Sequence, residues 1–331
     1  MTPDAPSPAF DAALPELLGT SLALRELLAL VRQVAPYASS VLVTGETGSG
    51  KELVARGLHR LGPRAGGAFV TVNCSAIVET LFESELFGHV RGAFTGATEH
   101  RVGLVERAHR GTLLLDEIGE LSPAMQAKLL RVLETGEVTR VGATDPRRFD
   151  VHVVAATNRE LDCDVSAGRF RRDLFYRLNV VEVHVPSLRQ RRDDVRLLAD
   201  AFLRQAASRF GRPVAGLDEE AARMLEAWDW PGNVRELRNT MERAVMLASG
   251  PLVTPANLRC GEPRRVEPSA PLLPGLRVVR RIADLEREAI ARALADTRGN
   301  KQEAARRLGI SRRALYRRIE KFGLDRIARA A

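Results

Sequence analysis

Cysteine is scarce. The three cysteines, Cys74, Cys163 and Cys260, stand far apart in 331 residues. There is no C-x-x-C pair and no histidine at ligand spacing, which excludes a disulfide scaffold and a zinc module. Long apolar runs are missing too: none approaches the ~18 residues that a membrane-crossing helix needs. The opening stretch MTPDAPSPAFDAALPELLGT has neither a basic start nor a long apolar core. It does not read as a secretory leader, and the expected location is the cytosol, away from any membrane. No repeat of solenoid period is visible.

What is present is ordinary globular material with an uneven charge. A hydrophobic content of 45% fits a packed chain. At ~100–200 residues per domain the length predicts two or three domains. The formal net charge is +8, from 50 Lys and Arg against 42 Asp and Glu. Residues 261–331 hold 18 of those basic residues and 9 of the acidic ones, a net of +9. The remaining 32 and 33 give the first 260 residues a net of −1. A small basic C-terminal domain beside a near-neutral body points to a polyanion partner, and nucleic acid is the usual one.

Residues 1–16 are rich in Pro and Ala and are expected to be disordered. From about 17 to 186, β-rich runs alternate with helical patterns. Ser40–Thr44, Ala68–Val72, Thr112–Leu115 and His152–Ala155 read as buried strands, and Glu52–Leu61 as a helix. That alternation predicts an α/β fold, a parallel sheet covered on both faces. Residues 187–258 read as a fully helical lid. Residues 259–277, rich in Pro, read as a linker, and 278–331 as a small all-α domain.

Two motifs carry chemistry. After the run SVLVT comes GETGSGK, then a helical pattern. This is G-x-x-x-x-G-K in strand–loop–helix context. Gly45, Glu46, Thr47, Gly48, Ser49 and Gly50 would turn backbone N–H groups around phosphates, and Lys51 would reach the β- and γ-phosphates. Glu52 stands where Ser or Thr usually supplies a hydroxyl to Mg²⁺, so the metal must rely on other groups and water. The second motif is GTLLLDE, an apolar run ending in two acids. Asp116 suits Mg²⁺ coordination, directly or through water, and Glu117 suits polarising the attacking water. Thr157 and Asn158, in AATN, could sense the γ-phosphate or hold that water.

With these motifs the chain resembles the AAA+ activators of sigma-54 RNA polymerase, the bacterial enhancer-binding proteins. GETGSGKE, GTLLLDE, ESELFGHVRGAFTGA, GRFRRDLFYRLNV and WPGNVREL carry the resemblance. It implies an ATPase ring, usually a hexamer, with ATP between subunits. It implies that Asn73 is a switch holding Glu117, and that Arg171 and Arg177 are fingers lent to the neighbour's ATP. Arg235 resembles a lid sensor of the γ-phosphate in its own subunit. Gly92, Ala93, Phe94, Thr95, Gly96 and Ala97 match the GAFTGA loop, which contacts sigma-54. Two glycines and two alanines around one Phe and one Thr suit a flexible segment offering one apolar anchor. Glu137–Thr144 reads as a hairpin tip, which the family places beside this loop.

In NKQEAARRLGISRRALYRRIEKFGL, Lys301–Leu308 reads as one helix, Gly309 as its break and Ser311 as the cap of the next. That is helix-turn-helix spacing, similar to Fis-type DNA-binding domains. Ile282, Leu285, Ala289 and Ala293 keep helical spacing before it. Leu315, Ile319 and Phe322 share an inward face. Arg313, Tyr316, Arg317 and Lys321 point outward, with Arg312 near the helix start, all candidates for double-stranded enhancer DNA. Two rivals stay open: another AAA+ remodeller, and a non-catalytic DNA-binding regulator on a degenerate AAA+ fold. The short segment before residue 17 leads to the expectation of no built-in sensory switch. Control would then come from self-association or a separate regulatory protein.

Overall fold

The computed structural model describes Leu14 and residues 16–37, 40–75, 79–94 and 97–258. In the C-terminal region it describes Ile290, Ala293, Thr297, residues 300–307, Arg312, Leu315 and Ile319. The chain divides into two compact units, Met1–Glu262 and Pro263–Ala331.

In the first unit the strands are β1 (Val41–Thr44), β2 (Phe69–Asn73), β3 (Gly88–His89), β4 (Arg101–Val102), β5 (Thr112–Asp116), β6 (Glu137–Val138), β7 (Arg147–Arg148), β8 (His152–Thr157), β9 (Val181–His184), β10 (Gly216–Leu217) and β11 (Leu252–Val253). The α-helices are α1 (Leu22–Val34), α2 (Lys51–Leu61), α3 (Glu79–Phe87), α4 (Leu104–Arg107), α5 (Pro123–Thr135), α6 (Leu161–Ser166), α7 (Arg172–Leu178), α8 (Asp193–Phe210), α9 (Glu219–Ala227) and α10 (Asn233–Leu247).

Five strands form one parallel sheet in the order β2-β5-β8-β1-β9. Side chains alternate faces along a strand, so each strand feeds two cores. Leu42, Leu113, Leu115, Val153 and Ala155 pack with Phe82, Leu86, Leu129 and Leu174 from α3, α5 and α7. Val43, Leu114, Val154 and Ala156 pack with Leu24, Val31, Val54 and Leu58 from α1 and α2. This is the doubly covered α/β fold that the sequence alternation predicts. Parallel strands place all their C-terminal ends on one edge, and the loops after β1, β5 and β8 meet there.

Three expectations need correction. Leu14, inside the segment read as disordered, is 2% exposed, and Glu16 pairs with Arg60 of α2 at 3.1 Å. Leu14 packs over Gly57, where a side chain would collide with it; most of the rest of residues 1–16 lies outside the described residues. β9 adds an edge strand that the apolar runs of the sequence do not mark, because it exposes Glu182 and His184. The lid is not fully helical: β10 and β11 pair in parallel beside α8, α9 and α10.

The lid has its own core, with Trp230, Leu237, Met241, Leu198 and Phe202 among its members. Its first helix is hooked to the start of the chain. Asp194, fully buried, accepts from the N–H groups of Thr20 (2.6 Å) and Ser21 (2.9 Å) and from the Ser21 hydroxyl (2.6 Å).

In the second unit, helix Lys301–Arg307 is capped by Asn300, whose Oδ1 accepts from the N–H groups of Gln302 and Glu303. Ala304 and Ala305 are buried with Ile290, Ala293, Leu315 and Ile319. The burial of Leu315 and Ile319 agrees with the inward face that the sequence predicts for them. Arg312 is exposed. Ser311, Arg313, Tyr316, Arg317, Lys321 and Phe322 lie outside the described residues, as does the linker read at 259–277. No helix among the described residues is long and apolar enough to cross a membrane.

Candidate functional site

Gly45–Gly50 links the end of β1 to the first residue of α2, Lys51. Gly50 caps α2 with no side-chain hydrogen bond, so the first N–H groups of the helix stay open to an anion. Gly48 has φ 77°, and a Cβ there would sit 2.4 Å from the Gly232 carbonyl oxygen of the lid. Lys51 is 6% exposed; its Nζ donates to the carbonyls of Gly45 (3.0 Å) and Glu46 (3.3 Å) and lies 3.9 Å from Glu117 Oε1. Burial lowers its pKa, against the pull of Glu117 and Asp116. Ser49 Oγ is buried with no hydrogen-bond partner. A half-satisfied buried ammonium, an orphan hydroxyl and open helix N–H groups form a donor set that fits phosphate. Glu52 turns away and pairs with Arg56 at 2.7 Å on the helix surface.

Asp116 ends β5, and burial raises its pKa while Lys51 opposes the shift. The next residue, Glu117, has left-handed backbone angles, φ 55° and ψ 47°. Such a conformation costs about 1–2 kcal/mol for a residue with a side chain, and it aims the carboxylate across the strand ends. Asn158 joins the two motifs: its N–H lies 3.4 Å from Glu117 Oε2, and its Nδ2 donates to Thr47 Oγ1 at 2.8 Å. Thr157 is buried and accepts from the Arg159 N–H. Phosphate loop, acidic pair and AATN segment therefore meet at one edge of the sheet. Among the described residues no group of three or more His, Cys, Asp or Glu could hold a metal unaided. Asp116, at the end of β5, suits Mg²⁺ shared with phosphate oxygens and water.

Among the described residues no hydrogen bond joins Asn73 to Glu117. Asn73 ends β2 in register with Asp116, but its Oδ1 accepts from Ser75 N–H (2.8 Å) and Ser75 Oγ (2.7 Å). A short local turn satisfies the carboxamide oxygen first.

The lid closes the other side. Arg235 N–H approaches the Gly48 carbonyl at 3.4 Å, and the Arg235 guanidinium adds a minor pull against the burial that raises the Asp116 pKa. Glu46 is bonded to Arg189 and to Asn233 Nδ2 (3.0 Å), which hold its carboxyl below the usual range. Arg191, 4% exposed, donates to the Ser49 carbonyl at 3.0 Å. A cleft of about 560 Å³ opens between loop and lid, lined by Leu17, Leu18, Gly50, Leu53, Phe202 and Arg238 among others. Sequence reasoning missed Arg189, Arg191 and Asn233. Arg189 and Arg191 are lost in an Arg-rich run, whereas the Pro-Gly-Asn turn before α10 signals Asn233, whose φ is 53°.

Arg171 caps the start of α7 and Arg177 lies in its last turn; both are exposed and engaged away from the phosphate loop. Arg171 pairs with Asp173 through Nε (3.0 Å) and Nη2 (2.6 Å), and Arg177 donates to the Leu133 carbonyl.

The GAFTGA segment is anchored at its base. Gly92 N–H donates to the Ala97 carbonyl at 2.9 Å, and Ala97 is buried. Phe94 is 39% exposed, not fully free, because the His89 ring stands edge-on to it at 5.1 Å. Thr95 and Gly96 lie outside the described residues. β6 and β7 pair antiparallel, and their connection touches this loop. Val141 N–H donates to the Gly88 carbonyl, Val90 N–H to the Val141 carbonyl, and Gly142 lies against Ala93.

Fold and site together define an AAA+ ATPase with a helical lid. Residues 17–184 match the family model "Sigma-54 interaction domain". Residues 189–264 match "AAA+ ATPase lid domain", and residues 281–322 "Bacterial regulatory protein, Fis family". The transcriptional regulatory protein ZraR of Salmonella typhi is 48% identical over 317 residues, 95% of this chain and 70% of the relative. The regulatory protein AtoC of Escherichia coli (strain K12) is 44% identical, over 93% of this chain and 68% of the relative. The crystal structure of NtrX from Brucella abortus in complex with ATP aligns with a TM-score of 0.70 at 38% identity. That alignment covers 93% of this chain and 69% of NtrX. The chain belongs to the sigma-54-dependent transcriptional activators. It is an ATP-binding AAA+ ATPase whose partners are sigma-54 and DNA.

Proposed function

We propose that the protein works as a ring, a hexamer, that couples ATP hydrolysis to opening of the closed sigma-54 polymerase–promoter complex. Residues 17–186 bind and hydrolyse ATP, 187–258 form the lid, 259–277 connect, and 278–331 bind double-stranded enhancer DNA. The site of action is the bacterial cytoplasm, where polymerase and DNA are found.

Lys51 and the Gly45–Gly50 backbone hold the phosphates, and Arg235 reaches them from the lid. Glu117 accepts a proton from the attacking water, which Asn158 helps to orient. Mg²⁺, held by Asp116 directly or through water, would supply charge neutralisation at the phosphates. Arg171 and Arg177 complete the neighbouring subunit's site, where such cations are worth roughly 10³–10⁵ in rate. The Gly92–Ala97 loop then carries Phe94 to sigma-54. Arg312, Arg313, Tyr316, Arg317 and Lys321, with Ser311 at the helix cap, face the DNA.

The observation that carries the reading is Asn158, which bonds Thr47 of the phosphate loop and reaches Glu117 (2.8 and 3.4 Å). Transcription from a purified sigma-54 promoter tests it. Transcripts should appear with ATP and vanish with a non-hydrolysable analogue; equal transcription with both would overturn the coupling.

A further inference from the structure

The segment leading into α7 is held by two buried side chains that take no part in nucleotide chemistry. Gln126, near the start of α5, is fully buried. Its Nε2 donates to the carbonyls of Leu121 (2.9 Å) and Arg169 (3.0 Å), and its Oε1 accepts from the Arg171 N–H (2.8 Å). One carboxamide thus grips the backbone on both sides of Phe170, itself buried. Asp164 of α6 is 4% exposed and accepts from Arg169 Nε at 2.7 Å. Its carbonyl accepts from the N–H groups of Arg169 (2.9 Å) and Phe170 (3.2 Å).

Asp164 also pairs with Arg159 Nε at 2.8 Å. Arg159 follows Asn158, and its Nη1 donates to the carbonyl of Gly119, two residues beyond Glu117 (3.0 Å). A continuous set of contacts therefore runs from the strand ends that carry Asn158 and Glu117 to the backbone of Arg171. An apolar residue at 126 would fill space without desolvating an amide, so packing alone does not account for Gln126.

We infer that Gln126 and Asp164 are positioning residues: they fix the Arg169–Arg171 backbone and tie the finger a subunit lends to its neighbour to that subunit's own hydrolysis site. The inference rests on the proposed role of Arg171 in trans. Misplacing a catalytic group by about 1 Å can cost roughly 10²-fold, so loss of either anchor should be felt in turnover rather than in ATP affinity.

The test uses the full chain as Gln126→Leu and Asp164→Asn variants, alone and mixed with Lys51→Ala or Arg171→Ala chains. Each single variant should lose about 10–100-fold in kcat while its affinity for a fluorescent ATP analogue stays within about twofold. Mixing with Lys51→Ala chains should restore activity, because those neighbours lend intact fingers to intact phosphate loops. Mixing with Arg171→Ala chains should not. Near-native kcat, or a defect that Lys51→Ala chains fail to rescue, overturns the inference. The control separates the two readings: Arg171→Ala mixed with Lys51→Ala must itself recover. If it does not, despite verified co-assembly, the finger in trans falls and this inference with it. Where Gln126→Leu lowers the melting temperature, the isosteric Asp164→Asn decides.

Discussion

Asn233 of the lid donates through Nδ2 to Glu46 Oε2 at 3.0 Å, across 187 positions of sequence. It also donates to the Thr47 carbonyl (3.2 Å) and accepts the Leu188 N–H (2.7 Å). One buried carboxamide thus joins the phosphate loop, the entry to the lid and helix α10. Asn233→Gly keeps the left-handed backbone and removes only the amide. It should destabilise the fold by about 1–3 kcal/mol, the cost of unpaired buried polar groups, and raise the KM for ATP more than it lowers kcat. Urea unfolding and steady-state ATPase check both; an unchanged KM would count against a lid latch.

The same latch has a pH signature. The Arg189 and Asn233 hydrogen bonds hold the Glu46 carboxyl below its usual range. A depressed acid stabilises the fold fully above its unfolded pKa, about 4.3, and the gain is lost as pH falls through the folded value. The stability difference between wild type and Glu46→Gln should therefore be constant near neutrality and shrink below roughly pH 4.3. The pair is partly exposed, so the difference should be small and reduced by salt. A gap that widens on acidification would contradict the assignment.

Lys51→Ala should weaken nucleotide binding, because the buried ammonium is the charged donor of the cradle. Glu117→Gln should bind ATP yet stop turning it over. Binding of a fluorescent analogue and phosphate release separate the two; normal phosphate release by Glu117→Gln would remove that residue from the chemistry.

Phe94→Ala should leave substantial ATPase and abolish open-complex formation. Phe94 is part-exposed and stands against the His89 ring. Both activities are to be measured on one preparation. Normal promoter opening would refute the contact role.

Removing residues 261–331 should spare ATPase and abolish site-specific DNA binding, since the +9 excess lies there. Arg312→Ala, at an exposed helical position, should weaken binding. If its contact is to phosphate, the salt slope should fall by about one unit. Unaltered footprints from the truncated chain would rule this out.

The parts legible in the sequence are those whose signal is contiguous. GETGSGK follows its strand and opens its helix, and the acids of GTLLLDE end an apolar run, so neither needs a distant residue to be recognised. The continuously buried runs of β5 and β8 are equally local signals. What stayed hidden depends on separation or on competition. Glu46 with Arg189 spans 143 positions, and nothing distinguishes Arg189 from its neighbours in an Arg-rich run. The Ser75 contacts at the Asn73 carboxamide oxygen are a turn two residues long, and they leave the Asn73 Nδ2 as the donor a carboxylate would need. The edge strand β9 carries Glu182 and His184 on its open positions and so lacks an apolar run.

Gly48 sets a mechanical tolerance. A Cβ there would stand 2.4 Å from the Gly232 carbonyl oxygen, well inside the ~3.3 Å of an ordinary carbon–oxygen contact. The fit between loop and lid is therefore closer than one methyl group. Any side chain at position 48 would act as a wedge, prising the lid from the loop and lengthening the 3.4 Å approach of the Arg235 N–H to the Gly48 carbonyl.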